Sequence, residues 1–399
     1  MYKELQGVLD KVVNFISIDE NEARQNNKLL LDTIKIKIIP NMRDLDLRFN
    51  KLYNDCTWTG SYYENLKTVR ADEYDINVVM LVPKCETCAR KCCDCIKIEA
   101  SDRPGFVRFR LSPGCCSEMD KFVDPEGYVL PSKIRNWQKG LIRKAVNQMA
   151  NGNVTLQDSG PAITVIVGGI YIDLVPTFEF DKIYWPIGFR DKPGSFGIVP
   201  KPPRDRQDTQ TSRYWRATFP KQEREMINGL QRLKPALRLL KKTRDTQGHS
   251  LIKSYFLKTM VLWEVERNAT QFEENIGSVF MKLLELYKDC LKKKQIKNFW
   301  NERHNLLDGI SDECLNNFHG RVIKIISKIN CNYLQDPYIV AKYILTEDEY
   351  AQLRQHNGRA TQDQNQQLYI GGAIAVGIIG GLATMATVWR LYKEHRRQQ

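Results

Sequence analysis

Two carboxylates at the start of an apolar run could bind a divalent metal ion. Glu73 and Asp75 lead into Ile76–Val82, a run rich in β-branched residues that predicts a strand. Side chains two residues apart on a strand point to the same side, so both carboxylates face one place. Carboxylate oxygens are the ligands that Mg²⁺ or Mn²⁺ prefers. Taken alone, such a pair is more commonly two acids on a solvated strand edge than a metal site.

A short polar turn upstream of these carboxylates could hold a phosphate. Gly60 and Ser61 follow an aromatic segment and open a turn into a helix. Such a turn offers free backbone N–H groups and a hydroxyl to an anion. Most Gly-Ser pairs are plain turns, but this one precedes the carboxylate pair. Together the two features predict nucleotidyl transfer.

A third carboxylate is expected on a neighbouring strand. Asp173 is the only acid in an apolar run that follows Ile163–Val167 and the Gly168-Gly169 turn. An ionised carboxylate inside a strand is costly unless something pairs it. An edge-strand aspartate facing water is one interpretation and a third metal ligand is the other. The first carboxylate pair favours the metal ligand.

The order of these motifs resembles the cyclic GMP-AMP synthase-like receptors of animals. Gly60–Asp75 is similar to the activation-site stretch of that family, and Gly160–Pro176 is similar to its third-carboxylate strand. Further similar segments follow in order, up to about residue 345: Trp185-Pro186, Phe196–Lys201, Tyr214–Arg216, Leu233-Lys234 and Ser254–Thr259. The resemblance implies an α+β nucleotidyltransferase fold, with a mixed-sheet catalytic lobe and a helical C-terminal lobe.

The resemblance also implies roles for individual residues. Two Mg²⁺ ions would be held by Glu73, Asp75 and Asp173. The predicted nucleotide-binding residues are Gly60, Ser61, Arg216, Lys234, Ser254, Tyr255 and Lys258. Of these, Arg216 would read the acceptor base and Tyr255 would stack on the donor base. The implied reaction is two successive transfers from ATP and GTP, which give a cyclic dinucleotide second messenger in innate immune signalling.

Two other functions are alternatives to a cyclic dinucleotide synthase. A catalytically silent nucleotide-binding membrane adaptor of the same fold is the main alternative, and the presence of all three carboxylates favours the enzyme over it. A linear polymerase or oligoadenylate synthetase is a further alternative, which would leave a free end on its product.

The basic character of the chain predicts attraction to polyanions. The formal net charge is +13 at pH 7, and such a charge favours association with nucleic acid. Arg135, Lys139 and Arg143 recur on one face of a predicted helix. A second basic cluster comprises Lys288, Lys292, Lys293, Lys294 and Lys297. Either set could follow a duplex backbone or be a solvated surface, and the resemblance favours double-stranded nucleic acid.

Double-stranded RNA is favoured over DNA as the activating ligand. The vertebrate DNA-sensing enzyme carries a His-Cys zinc insert after its Trp-Arg motif, and here no Cys or His lies between Arg216 and Lys234. Double-stranded RNA is recognised by shape and phosphate contacts, which suits a basic helix face.

The cysteines predict a reducing compartment. The chain has eleven, five of them in Cys85–Cys95. The Cys-x-x-Cys spacing could bind zinc, but it matches no standard finger and no His is close. Reduced thiols in a surface hairpin are therefore favoured over zinc. Met1–Asn14 is amphipathic and unlike a secretory signal, which also favours the cytosol.

Apolar periodicity divides the chain. The predicted segments are a catalytic lobe at 1–221, a helical lobe at 222–345, a polar linker at 346–367, a transmembrane anchor at 368–389 and a basic tail at 390–399. The chain should open with an amphipathic helix whose apolar positions are Leu5, Val8, Leu9, Val12, Val13 and Ile16. A second helix should run from about Asn27 into Leu52, with an interruption near Pro40.

The C-terminal apolar run predicts a membrane anchor. Leu368–Trp389 has 22 residues without a charge, and a helix of that length spans about 33 Å, enough for a bilayer. Gly377 and Gly381 supply a small-residue face for helix pairing. We expect a cytosolic catalytic domain on an intracellular membrane, with the mitochondrial outer membrane favoured and the endoplasmic reticulum as the alternative. A homodimer is left open.

Overall fold

The computed structural model describes residues 1–355, apart from Asn65, 69–71, 84–94, 150–152, Pro202 and 204–209. Residues Met1–Ile344 form one compact unit, and a second unit begins at Leu345. The predicted catalytic and helical lobes therefore both belong to the first unit.

Helical segments precede the first strand. They are α1 (Gln6–Phe15), α2 (Glu20–Leu30), a π-helical stretch at Leu31–Ile38, α3 (Ile39–Leu45) and α4 (Leu47–Leu52). The predicted apolar positions of the opening helix are all buried, namely Leu5, Val8, Leu9, Val12, Val13 and Ile16. Helical periodicity alone was sufficient to find this face.

The prediction of the second helix was wrong about where the helix begins and where it is interrupted. It begins at Glu20 and not near Asn27, because Asp19 accepts hydrogen bonds from two backbone amides of the first turn. Pro40 does not interrupt it, since the backbone keeps helical dihedral angles at Ile38 and Ile39, where the π-helical stretch continues into α3. The break falls at Asp46, whose extended backbone separates α3 from α4.

A nine-stranded mixed sheet forms the centre of the first unit. Its strands are β1 (Tyr53–Thr59), β2 (Glu73–Met80), β3 (Ile96–Ala100), β4 (Phe106–Leu111), β5 (Val154–Ser159), β6 (Ala162–Val167), β7 (Ile170–Phe180), β8 (Phe196–Val199) and β9 (Tyr214–Thr218). The main order is β1-β2-β7-β8-β9-β4-β3, and the β5–β6 hairpin joins β7. Strands β2 and β7 are parallel. The mixed sheet confirms the α+β class.

The remaining helices of the first unit lie between the strands in sequence or follow the last strand. They are α5 (Gly60–Tyr63), α6 (Pro131–Asn147), α7 (Pro220–Ile227), α8 (Leu233–Thr246), α9 (Ser254–Arg267), α10 (Ile276–Lys293), α11 (Asp312–Asn332) and α12 (Ile339–Ile344). Helix α1 packs against α8, α10 and α12. The first helix therefore lies with the C-terminal helices, although it precedes every strand in the chain.

The second unit opens with a helix over 347–355. Thr346 and Glu349 cap it reciprocally, since each side chain accepts a hydrogen bond from the backbone amide of the other. This helix occupies the start of the predicted linker. The predicted anchor at 368–389 and the tail at 390–399 lie outside the described residues. Across 1–355, with the gaps given above, no helix is long and apolar enough to span a membrane.

Burial of His249 predicts a loss of stability on mild acidification. Its ring is 1% exposed, lies 2.9 Å from the Tyr287 hydroxyl, and has its pKa lowered by burial to about 4. Between that value and the unfolded pKa of about 6.5 the unfolded chain binds more protons, so acidification through this window favours unfolding.

We expect His249→Gln to flatten the pH dependence of the free energy of unfolding between pH 6.5 and 4. The effect should be on the order of 3 kcal/mol at most, because each pKa unit corresponds to about 1.4 kcal/mol. Urea denaturation at a series of pH values measures it. A variant whose slope equals that of the wild type would contradict the role of this histidine.

Candidate active site

Two of the three predicted carboxylates lie side by side. Strands β2 and β7 run parallel, with Asp75 paired to Asp173 and Glu73 paired to Tyr171. Residues paired in register on neighbouring strands point to the same face of a sheet. Asp75 and Asp173 therefore share one face at the centre of the sheet, as the strand pattern predicts.

The electrostatics of Asp75 fit a cation site. Burial by the surrounding protein, followed by repulsion from Asp173 and Glu73, raises the pKa of Asp75, while Lys67 and Lys201 oppose that shift. The side chain nevertheless keeps solvent access. A bound cation would remove the repulsion between these acids. The donor set is thus suited to a hard divalent ion.

Glu73 stands apart from the aspartate pair. Its carboxylate lies 3.4 Å from the Lys67 ammonium, which also contacts Asp72 at 3.2 Å. In the described part of the chain, no three His, Cys, Asp or Glu side chains are gathered closely enough to hold a metal ion. The structure therefore unites Asp75 with Asp173, and Glu73 contacts Lys67 instead.

The predicted phosphate turn lies directly against Asp75. Gly60 has a φ of +78°, and a Cβ built on it would be 2.0 Å from Asp75 Oδ2. Only glycine accepts both that dihedral angle and that approach. Ser61 follows in α5, and its carbonyl accepts a hydrogen bond from the Leu66 amide at 2.7 Å. The turn and the carboxylate pair therefore form one site.

Two hydroxyls that the sequence analysis missed support Asp173. Ser159 donates to Asp173 Oδ1 at 3.2 Å, and Thr164 donates to the same oxygen. The Gly168-Gly169 turn could have revealed the second one. Both glycines have positive φ, as two-residue hairpin turns require, and the pairing that follows sets Thr164 opposite Asp173.

The residues predicted to contact bases lie near each other. Arg216 is on β9, with its guanidinium 5.1 Å from the Phe106 ring centre. Burial lowers the pKa of Arg216, and the negative form of Tyr255 would oppose that shift. The Tyr255 hydroxyl donates to Glu223 at 3.1 Å. The two side chains are therefore close enough for the charge of one to act on the other, and their roles in base recognition stay predictions.

The residues predicted to contact phosphates have different surroundings. Lys234 lies in the first turn of α8. Ser254 begins α9 and accepts a hydrogen bond from Arg244 at 3.0 Å. Lys258 is buried, and its ammonium lies between Glu64 at 2.6 Å and Glu223 at 2.7 Å. The sequence analysis did not find these two glutamates as its partners.

Acidic neighbours partly neutralise the predicted basic surfaces. Asp158 on β5 pairs with Arg143 at 2.9 Å and with Lys139 at 3.4 Å. Three lysines of the second cluster also have acidic partners. Lys288 pairs with Glu285 and Asp289, Lys294 pairs with Asp312, and Lys297 pairs with Glu302. Net charge along the sequence therefore overstates the positive potential of both surfaces.

The cysteine cluster at Cys85–Cys95, for which reduced thiols were favoured over zinc, falls mostly outside the described residues. Four of its cysteines lie in 84–94, and Cys95 follows that gap. Cys115 and Cys116 are buried, and burial raises the pKa of the Cys116 thiol to about 11. That thiol is therefore held protonated, as reduced cysteines in a protein interior are.

The comparisons with known proteins define the class of this fold and site. Residues 62–229 match the Mab-21 protein nucleotidyltransferase domain, and residues 232–324 match the Mab-21 protein HhH/H2TH-like domain. The first match contains Asp75 and Asp173 together with the strands that carry them. The two matches make this chain a nucleotidyltransferase of the Mab-21 type.

Comparisons over most of the chain narrow the class to a family. The chain is 31% identical to a cyclic GMP-AMP synthase-like receptor of Aethina tumida, over 92% of this chain and 98% of that protein. It is 32% identical to one of Nicrophorus vespilloides, over 82% and 94%, and 27% identical to one of Ctenocephalides felis, over 95% and 96%. The chain belongs to the cyclic GMP-AMP synthase-like receptor family, which confirms the predicted resemblance.

Proposed function

We propose that this protein makes a cyclic dinucleotide second messenger from ATP and GTP when it binds double-stranded RNA. The observation that carries the proposal is the placement of Asp75 beside Asp173, with the Gly60 turn against them, in a chain of this family. Such a messenger suits innate immune signalling.

Asp75 and Asp173 would hold Mg²⁺ or Mn²⁺, and Glu73 would join them once its carboxylate leaves the Lys67 ammonium. When bound, the ions would lower the pKa of the attacking ribose hydroxyl of the acceptor nucleotide and would stabilise negative charge on the transferring phosphate and the leaving pyrophosphate. The chain's own residues orient the carboxylates that would hold these ions. Ser159 and Thr164 hold the Asp173 carboxylate in one position.

The nucleotide contacts follow the family pattern. The backbone of the Gly60 turn and the Ser61 hydroxyl would hold the donor triphosphate. Lys234 and Ser254 would contact the donor phosphates, while Arg216 and Tyr255 would contact the bases. Because phosphoryl transfer depends mainly on positioning and electrostatics, these contacts supply most of what the protein contributes.

The remaining parts of the proposal concern partners and location. Arg135 lies on the same face of α6 as Lys139 and Arg143, and this face would follow an RNA backbone. Residues 368–389 would anchor the protein to an intracellular membrane, with the mitochondrial outer membrane favoured over the endoplasmic reticulum. Pairing of these segments through Gly377 and Gly381 would give a homodimer.

The test uses the full chain in detergent micelles with labelled ATP, labelled GTP and Mg²⁺. Double-stranded RNA, double-stranded DNA and no nucleic acid are compared. We expect a phosphatase-resistant product with RNA only. A product with a free end would instead indicate a linear polymerase. Nucleotide binding without product under every condition would replace the proposal with a membrane adaptor.

A further inference from the structure

Three cationic side chains from consecutive helices hold the segment that contains the Gly60 turn. Arg224 of α7 donates to the Trp58 carbonyl at 2.8 Å. Lys241 of α8 donates to the Leu66 carbonyl at 2.6 Å. Lys258 of α9 donates to Glu64 at 2.6 Å. We call Arg224, Lys241 and Lys258 the cationic clamp.

The Lys258 contact is a buried ionic cluster. Lys258 and Glu64 side chains are each 8% exposed, and Glu223 is 7% exposed. Burial disfavours the ammonium, but Glu223 and Glu64 more than offset this and raise the pKa of Lys258. A buried ion pair adds little net stability, yet it strongly disfavours any arrangement that separates the partners.

The rest of the cluster fixes Glu223. This carboxylate also accepts hydrogen bonds from Tyr255 at 3.1 Å and from Trp300 Nε1 at 2.8 Å. Both donors belong to the helical half of the chain. Glu223 is therefore a fixed point, and Lys258 connects it to Glu64 beside the active site.

Local hydrogen bonds transmit the position of Glu64 to the turn. The Glu64 amide donates to the Gly60 carbonyl at 3.3 Å, and the Leu66 amide donates to the Ser61 carbonyl at 2.7 Å. Gly60 has no room to shift towards Asp75. Movement at Glu64 would thus change the contact between turn and carboxylate.

We propose that the cationic clamp positions the Gly60-Ser61 turn against Asp75, with Lys258 and Glu64 as positioning residues for nucleotidyl transfer. Lys258 would then act on the phosphates only through the turn. The inference rests on the proposed function for its kinetic part. It assigns the helical lobe a specific task, which is to hold the segment that leads to the metal site.

The test compares Glu64→Gln, Lys258→Met and Lys258→Arg in the full chain. Glu64→Gln leaves Lys258 paired with Glu223, so the fold is kept. We expect its kcat to fall about 10- to 100-fold, as small misplacements of catalytic groups do, with KM for ATP and GTP changed less than threefold. Lys258→Met should lose at least as much, and Lys258→Arg should recover part of the loss. Lys253→Met is the matched control at the N-cap of the same helix, since its exposed ammonium donates to the Ser250 carbonyl in the preceding turn, and it should keep the wild-type kcat.

Hydrogen exchange provides a readout that does not need activity. The Glu64 and Leu66 amides should exchange at least tenfold faster in Glu64→Gln than in the wild type, while amides in α9 are unchanged. The clamp would be overturned if the wild type is active and Glu64→Gln has the same kcat and the same amide exchange rates as the wild type. A wild type that makes no product overturns the proposed function instead, and exchange at the two amides still decides the clamp.

Discussion

Replacement of Asp75 by asparagine is expected to reduce nucleotidyl transfer by at least about a thousandfold, or roughly 4 kcal/mol of barrier, because it removes a carboxylate from the metal site. Asp75 lies in register with Asp173, so the substitution leaves Asp173 without its partner carboxylate. Single-turnover kinetics with saturating ATP, GTP and Mg²⁺ would measure the loss.

The same substitution should stabilise the metal-free protein. Burial and the acids Asp173 and Glu73 raise the pKa of Asp75 above its unfolded value, so the charged form is disfavoured by folding at neutral pH. Removal of that charge therefore raises the free energy of unfolding. An inactive variant with raised stability separates a catalytic loss from misfolding.

Asp55→Asn is the matched control for this experiment. Asp55 is on β1 and pairs with Lys35 at 3.1 Å in an exposed ion pair, which contributes little to stability. The control should keep wild-type activity. Asp75→Asn protein with more than a tenth of wild-type activity would remove this carboxylate from the reaction.

Gly60→Ala is the second substitution with a large expected effect. Its Cβ would lie 2.0 Å from Asp75 Oδ2, so either the turn or the carboxylate must move. We expect kcat to fall by about a hundredfold or more, because displacements near 1 Å at a reacting centre have effects of that size. The free energy of unfolding should fall as well.

Gly229→Ala separates the two consequences of adding a Cβ. Gly229 has a φ of +80°, but a Cβ there would meet nothing within 4 Å. Gly229→Ala therefore shares with Gly60→Ala only the backbone strain of a left-handed conformation, which is about 1 to 2 kcal/mol. Similar losses of activity in both variants would show that strain, and not contact with Asp75, disables the turn.

Local features of this protein were readable from the sequence. The apolar stripe of α1 repeats at helical spacing, and each strand that carries a carboxylate is a short β-branched run. The positions of Asp75 and Asp173 on those strands follow from the same runs. Local errors arose where capping decided the outcome, as at Asp46, because a single side chain there outweighs the periodicity.

Contacts between distant segments depended on the tertiary structure. The parallel pairing of β2 with β7 sets which residue lies beside Asp75, and a shift by one residue would have turned Asp173 to the other face. The pairing of Lys258 with Glu64 joins residues 194 positions apart. As an isolated residue Lys258 resembles a surface lysine or a phosphate ligand, and only burial identifies its carboxylate partners.

The sequence by itself therefore determined the family, the candidate carboxylates and the strands that carry them, because these depend on residue type and short-range periodicity. The tertiary structure alone decided that Asp75 and Asp173 adjoin, and that cations from three later helices contact the segment around the Gly60 turn. Those relations depend on how distant side chains pack and share burial. No periodicity along one segment can specify them.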